Sequence, residues 1–293
     1  MKIIKTLFLL LLCTAAFAQK KELPEDVVAS IKSRIEFGLT PSIVVGIIDK
    51  DGMHFYSFGT KTVGGEPVDE HSIYEIGSIS KTFTATLLAD NIVKGKMKVD
   101  DPISKYLPAS VKVPTYKGGG PPITLGHLSD HTSSMLRMPT NMPESDPTDP
   151  AADYTPELMY AFLSSYELPR EVGSEYEYSN FAVGVLGQIQ ALVAGTSYEE
   201  ALTSVITSPL KMKETAITLS PKMKENLAVG HSMGMPVNNW DLNAMQGAGG
   251  IRSSAHDMLL YLSANLGLTK SQLSKAMELT HTPRHDKAGR QIG

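Results

Sequence analysis

After residue 78, apolar side chains recur at helical spacing in one segment after another, and this pattern limits the folds open to the chain more than any other feature. Loops rich in proline and glycine separate the segments, the longest at about 108–153. We therefore predict a large, mostly helical subdomain. Its helical segments are 79–94, 156–164, 180–194, 197–206, 256–265 and a short run near 271–279.

A β-hairpin is predicted before the helical part. Residues 24–38 have helical spacing, and the β-rich runs Ser42–Ile48 and Met53–Phe58 flank a turn at Asp51-Gly52. Two strands are not stable alone, and no later segment offers partner strands. The predicted fold class is α+β, with one domain over residues 19–293. In it the hairpin is the only part of an antiparallel sheet that is present, and it packs on the helical subdomain.

Residues 1–18 have the pattern of a secretory signal peptide. Lys2 and Lys5 precede the apolar run Leu7–Leu12, and Ala16-Phe17-Ala18 forms the small-x-small site at which signal peptidase cuts. The run is too short for a membrane span, which needs ~20 residues. We expect cleavage after Ala18 and export, to the periplasm or the medium, with no membrane span in the mature protein.

Cysteine content and charge exclude several function classes. The only cysteine, Cys13, lies inside the signal and follows Leu12, where a lipoprotein site needs a small residue. The mature chain would therefore have no disulfide, no catalytic thiolate and no cysteine-bound zinc. The net charge is −4 and no run of Lys or Arg occurs, so nucleic acid is not an expected partner. The sequence carries no signal for an oligomeric state.

A candidate nucleophile stands at the start of the first long helical segment. Ser78 and Lys81 are three residues apart, so both lie on one helix face and the ammonium group can reach the hydroxyl. A serine hydroxyl becomes a nucleophile when a nearby base takes its proton, and a helix N-terminus favours the negative charge that develops on oxygen. Ser-x-x-Lys alone is a weak signal, because serine is a common N-cap and lysine a common surface residue.

Tyr178 and Asn180 form a second candidate element, in the loop just before another helical segment. A phenol beside a lysine can shuttle a proton, and an asparagine amide can donate to a substrate carbonyl. Alone, these residues would be interpreted as an N-cap preceded by a half-buried tyrosine. Together with Ser78 they are much more specific than either element by itself.

The Ser-x-x-Lys and Tyr-x-Asn pair resembles the class C β-lactamase and penicillin-binding-protein group of serine hydrolases. The likeness covers roughly residues 24–266. Within the group, Val113-Pro114-Thr115-Tyr116 followed by Gly118 looks most like the AmpH-type D-alanyl-D-alanine carboxypeptidase/endopeptidases. The other matching segments, in the family's order, are Asp101–Tyr106, Ile123-Thr124 with Leu128, His131-Thr132-Ser133, Pro209-Leu210 with Met212, and Gly249-Gly250-Ile251 with Ser253 and Asp257-Met258.

The resemblance implies a β-lactamase/transpeptidase-like fold and a role for each residue of the two elements. Ser78 would be the acylated nucleophile and Lys81 its proton partner. Tyr178 would act as general base and then as acid, and Asn180 would contact the substrate and Lys81. The substrate would be a small molecule or a peptide, and neither a metal nor a cofactor is implied.

The sequence departs from the family pattern in three places. Ser134 stands where the family usually has glycine, and Lys211 replaces a usual glycine before Met212, both of them changes in loop geometry. A third box, Lys- or His-Thr-Gly on a strand beside the nucleophile, is absent from the sequence, and that strand would supply the second oxyanion N–H. We expect the 293 residues to be a C-terminally truncated form, weakly active at best and prone to aggregation.

Two further patterns mimic functional sites. Gly230–Gly234 matches the Gly-x-Ser-x-Gly nucleophile elbow around Ser232, but it lacks the buried strand before it and the helix after it. Two histidine groups, His127 with Asp130 and His131, and His281 with His285, lack a third metal ligand at recognisable spacing. We predict that neither pattern is a site.

The main functional hypothesis is an exported D-Ala-D-Ala carboxypeptidase or endopeptidase that acts on peptidoglycan peptides through an acyl-enzyme on Ser78. β-Lactam hydrolysis and small-ester hydrolysis share the acyl-enzyme step, so both stay open. So does an inactive truncated remnant or a binding scaffold that keeps the fold.

Overall fold

The structure, a computed structural model, describes residues 22–143 and 145–284. The predicted signal peptide and His285 lie outside these residues. In chain order the elements are α1 (Glu25–Glu36), β1 (Ser42–Asp49), β2 (Gly52–Gly59), β3 (Ile73–Glu75), α2 (Ser80–Val93), α3 (Leu125–Ser129), α4 (Pro156–Ser165), α5 (Asn180–Ala194), α6 (Tyr198–Leu202), α7 (Pro221–Glu225), β4 (Gly230–Ser232), β5 (Met235–Val237), α8 (Gln246–Gly249), β6 (Arg252–Ser254), α9 (Ala255–Asn265) and α10 (Ser274–Thr280).

Each helical segment predicted after residue 78 is a helix in the structure, and the α+β class is confirmed. The boundaries of α5 have clear local causes. The Ser179 hydroxyl accepts a hydrogen bond from the Ala182 N–H at 2.9 Å, which caps the N-terminus, and Gly195 ends the helix at φ 68°. In the described part of the chain, no single helix has the length and apolarity of a membrane span. Asn180–Ala194 and Tyr198–Thr207 reach that length and apolarity only as a pair, with a bend of 77° between them.

The predicted hairpin is present. β1 and β2 pair antiparallel from Ser42 opposite Gly59 to Asp49 opposite Gly52, so the turn lies one residue earlier than predicted. Gly52 has φ 121°, a conformation that favours glycine. α1 packs against β2 and α9 against β1. Within residues 22–143 and 145–284, no third strand pairs with this hairpin.

Two further strand pairs were not predicted, because each strand has only three residues and shows no periodic pattern. They are β3 with β6 and β4 with β5, both antiparallel. The second pair contains Ser232, whose strand continues through a turn into β5. A nucleophile elbow needs a helix at that point, so Ser232 has the wrong context for one.

The core consists of two apolar clusters on either side of α2. Leu88 belongs to the cluster built around α5, whereas Phe83 and Leu87 belong to the cluster that includes α6 and Tyr261. The rings of Phe83 and Tyr261 stack with centroids 4.0 Å apart. Because both flanks of α2 are buried, the position of its N-terminus is tightly determined.

α8 approaches α2 and α5 closely through two glycines. A Cβ on Gly247 would lie 3.0 Å from the Gly187 Cα and 3.1 Å from the Thr84 hydroxyl oxygen. That hydroxyl donates to the Gly247 carbonyl at 2.7 Å and is 2.6 Å from the Tyr198 hydroxyl, in a buried network. The chain therefore has no space here for a larger residue.

We expect Gly247→Ala to lower the free energy of unfolding by about 1–3 kcal/mol, because the added methyl group must push apart backbone atoms. Denaturant titration followed by circular dichroism would measure it. Gly230→Ala is a suitable control, since its Cβ meets mainly a Val237 side-chain methyl at 3.2 Å. Equal losses in both variants would contradict the tight contact between α8 and α5.

Candidate active site

Ser78 lies in a 3₁₀ turn, Gly77–Ile79, between β3 and α2. Ile251, which precedes β6, holds this turn through hydrogen bonds on both sides. The Ile76 N–H donates to the Ile251 carbonyl at 3.1 Å, and the Ile251 N–H donates to the Ser80 hydroxyl at 3.2 Å. The sequence predicted Ser78 at the start of the helix. The structure places it in the turn just before the helix, with its side chain exposed.

Lys81 is in the first turn of α2, and its ammonium group points to Ser78. Nζ donates to the Ser78 Oγ at 3.2 Å and to the Ala248 carbonyl of α8 at 2.6 Å. Burial lowers the pKa of Lys81 below its ordinary value, and the charge of Arg137 acts in the same direction, while contact with Tyr178 opposes them. A lysine with a lowered pKa is better able to accept a proton near neutral pH.

The Tyr178 hydroxyl donates a hydrogen bond to the Ser78 Oγ at 2.7 Å, although the two residues are 100 positions apart in the sequence. Two cations lie over its ring, with Lys81 Nζ 4.9 Å and the Arg137 guanidinium carbon 5.0 Å from the centroid. Burial alone would raise the pKa of the phenol. Hydrogen bonds with Lys81 and Ser78, together with the charges of Lys81 and Arg137, lower the pKa overall.

His131 supports the Tyr178 ring, a role that the sequence did not indicate. The two ring centroids are 4.5 Å apart, and the His131 Nδ1 accepts a hydrogen bond from the Ser179 N–H at 3.2 Å. Burial, with the charge of Lys81, lowers the pKa of His131 to about 4 despite the nearby Asp130. The imidazole is therefore neutral at neutral pH and adds no third positive charge.

The other members of that histidine group stabilise turns. His127 Nδ1 lies 3.2 Å from the Thr124 N–H in a capping box of α3. The Asp130 carboxylate accepts from the Thr132 hydroxyl at 2.6 Å.

Asn180 lines the same cleft as Ser78. It is the first residue of α5, its N–H donates to the Arg137 carbonyl at 2.9 Å, and its side-chain amide donates to the Met138 sulfur at 3.4 Å. The contact of Asn180 with Lys81 that the resemblance implied stays a prediction. The cleft has a volume of about 440 Å³ and is otherwise bounded by mostly apolar groups, among them Trp240, Leu242, Met245 and Gly249.

The geometry at Ser78 suits nucleophilic attack. Its Oγ lies between an amine and a phenol, each within hydrogen-bond distance and each with a lowered pKa. Either group can receive the serine proton as Oγ attacks a carbonyl carbon and can return it to a leaving group. No motif indicated the supporting residues Ala248 and Arg137, because their contacts depend on packing between distant segments.

Comparison with known proteins identifies the family of the chain. The Beta-lactamase family model matches residues 31–292. The chain belongs to the beta-lactamase family. The D-alanyl-D-alanine-carboxypeptidase/endopeptidase AmpH of Escherichia coli K12 is 30% identical, over 96% of this chain and 74% of that protein.

Two solved structures of this family share the fold. A class C beta-lactamase from Rhodobacter sphaeroides has a TM-score of 0.75 and 29% identity, covering 88% of this chain and 70% of that one. A beta-lactamase/D-alanine carboxypeptidase from Yersinia pestis, complexed with citrate, has a TM-score of 0.76 and 26% identity, covering 90% and 75%. The expected fold is confirmed, and membership in the beta-lactamase family indicates a serine hydrolase that acts on small molecules or peptides.

We expect a fluorescent penicillin to label Ser78 covalently. Ser78→Ala should abolish the label, and Lys81→Ala should slow labelling by about 10²–10⁴-fold, because the hydroxyl loses its proton acceptor. Peptide mapping by mass spectrometry locates the adduct, with Ser232→Ala as the matched control. An adduct on Ser232, or one that persists in Ser78→Ala, would overturn the assignment.

Labelling should slow as the pH falls, because Lys81 and Tyr178 together must hold one proton fewer than they hold in acid. The charge of Arg137 lowers the pKa of both groups, so Arg137→Ala should raise both values and move the acidic limb to higher pH. Stopped-flow acylation rates across a pH series measure the limb. A flat profile, or a limb that moves to lower pH in this variant, would show that the pair does not control the rate.

Proposed function

We propose that the chain is an exported serine peptidase that hydrolyses the terminal D-Ala-D-Ala bond or related cross-links of peptidoglycan peptides. The observation that carries the proposal is the position of the Ser78 Oγ, 3.2 Å from the Lys81 Nζ and 2.7 Å from the Tyr178 hydroxyl, at the wall of an open cleft. Export follows from the predicted signal peptide, and the mature chain would begin at Gln19.

The reaction has two steps. The Lys81 and Tyr178 pair takes the proton of Ser78 as Oγ attacks the carbonyl carbon, and the proton passes to the leaving amine as the C–N bond breaks. The same pair then takes a proton from the water that attacks the ester carbon, and returns it to the Ser78 Oγ as the ester C–O bond breaks. Asn180, in the cleft wall, would hold the substrate amide by hydrogen bonds.

The proposed substrates carry a terminal carboxylate, and the site offers positive charge to it. Arg137 is exposed beside Tyr178, and Lys81 is partly exposed. Cations near a cleft attract an anionic substrate and fix its orientation. The relatives support this substrate class by name, since one is a D-alanyl-D-alanine-carboxypeptidase/endopeptidase and another a beta-lactamase/D-alanine carboxypeptidase.

β-Lactam hydrolysis is the second candidate, favoured by the similarity to class C beta-lactamases. The acylation step would be the same. The two activities differ in how quickly water reaches the acyl-enzyme, so the relative rates of deacylation decide between them.

A substrate panel tests the proposal. We expect kcat/KM for release of D-Ala from a D-Ala-D-Ala peptide to exceed that for nitrocefin and for a p-nitrophenyl ester, and Ser78→Ala to remove all three activities. A peptide with an amidated C-terminus is the control for the terminal carboxylate and should have a higher KM.

Other results would replace the proposal with one of its alternatives. Faster turnover of nitrocefin would indicate a β-lactamase, and turnover of the ester alone would indicate an esterase. Absence of turnover and of covalent labelling in a cooperatively folded protein would indicate a binding scaffold.

A further inference from the structure

Two histidines and a glutamate meet at the start of β3, away from the residues that surround Ser78. His71, Glu214 and His256 each offer one ligand atom, and these atoms lie within 4.8 Å of one another. His71 is in the turn before β3, and His256 is in the first turn of α9. Since 143 residues separate His71 from Glu214, no spacing motif could have indicated the group, and the sequence led us to expect no metal.

We propose that His71, Glu214 and His256 bind a divalent transition-metal ion of the zinc type, at a site that is separate from the acylation chemistry. Two imidazoles and one carboxylate are a known donor set for zinc sites with three protein ligands, in which water completes the coordination. The same donors discriminate against magnesium and calcium, which prefer all-oxygen sites.

The His71 to Glu214 distances and the spacing of the two imidazole rings are compatible with one shared ion. His71 Nδ1 lies 3.0 and 3.1 Å from the two Glu214 carboxylate oxygens. Ligand atoms bonded to one zinc ion at ~2.1 Å lie roughly 3–3.5 Å apart. The rings of His71 and His256 have centroids 5.2 Å apart. Two imidazoles that bind one ion at a tetrahedral angle have about that separation.

Hydrogen bonds orient two of the ligands. The His256 Nδ1 lies 3.1 Å from the Asp257 Oδ1, which leaves Nε2 for the metal. The Ser254 hydroxyl donates to the Glu214 Oε2 at 2.7 Å and leaves Oε1. A carboxylate behind a metal-binding histidine fixes the tautomer and the ring direction.

The supporting carboxylate is itself rigid. The side chain of Asp257 is 1% exposed, and its Oδ2 accepts from the Glu214 N–H at 2.6 Å and from the Thr215 hydroxyl at 2.9 Å. The His256 N–H donates to the Glu70 carbonyl at 3.0 Å, which ties the turn that carries His71 to α9. The site is thus assembled by backbone and side-chain contacts that do not depend on an ion.

The three side chains are partly open to water, which lets a hydrated ion enter. The exposed fractions are 44% for His71, 23% for Glu214 and 36% for His256. A simple ion pair would explain only the contact between His71 and Glu214. It would not require the second imidazole, nor the buried carboxylate that orients it.

Zinc binding to the chelator-treated protein tests the proposal, by equilibrium dialysis with metal analysis and by the visible spectrum of the Co²⁺ form. We expect one ion per chain, and a higher melting temperature with zinc than without it. His71→Asn and His256→Asn should each weaken zinc binding by more than about 100-fold. Asp257→Asn should weaken it by about 10–100-fold. The exposed His281 supplies the matched control, and His281→Asn should bind zinc like the unchanged protein.

Absence of stoichiometric zinc binding at micromolar concentrations, or equal binding by His71→Asn and the control, would overturn the proposal. Melting curves recorded without zinc show whether each variant folds. If a histidine variant does not fold, the nearly isosteric Glu214→Gln takes its place in the binding measurement. EDTA should leave covalent labelling of Ser78 unchanged. Labelling lost with EDTA and restored with zinc would contradict the separation of the two sites.

Discussion

The chemistry of this protein depends on how closely α8 approaches α5 and α2. Gly187 and Gly247 leave no room for a side chain at the contact, and the backbone that follows brings the Ala248 carbonyl to 2.6 Å from the Lys81 Nζ. This carbonyl and the Ser78 hydroxyl, to which Lys81 also donates, are both uncharged. Position is thus gained without a carboxylate, which would have stabilised the protonated amine and raised its pKa.

Few charged groups act on Tyr178 as well. Burial favours the neutral phenol, but hydrogen bonds with Lys81 and Ser78, together with the charges of Lys81 and Arg137, lower its pKa overall. The ring must also be held in place, and His131 does this as a neutral side chain. A protonated imidazole would stabilise the phenolate further but would repel the ammonium group of Lys81 at the same time.

The sequence predicted what local periodicity determines and missed what packing determines. The long helices and the hairpin have repeating patterns of a dozen residues, and the Ser78 to Lys81 spacing follows from one helical turn. The Tyr178 to Ser78 contact spans 100 residues, so only resemblance to a family indicated it. Arg137, Ala248 and the group of His71, Glu214 and His256 have no local signal. Their proximity results from the way whole elements stack, and this is why the structure was needed to find them.

β3 and β6 connect the two groups of residues, because the turn that carries Ser78 follows one end of this strand pair and the histidines lie at the other. Ser254, opposite Ile73, both caps α9 and donates to Glu214. Arg252, opposite Glu75, donates to the carbonyl of Trp240, whose side chain lines the cleft of Ser78. A metal ion at the histidine end would stabilise the folded state by mass action, since the unfolded chain does not assemble these three ligands. The acyl transfer proposed at the Ser78 end uses Ser78 as the nucleophile and proton transfer by Lys81 and Tyr178, so the strand pair would stiffen the cleft wall rather than supply a reacting group.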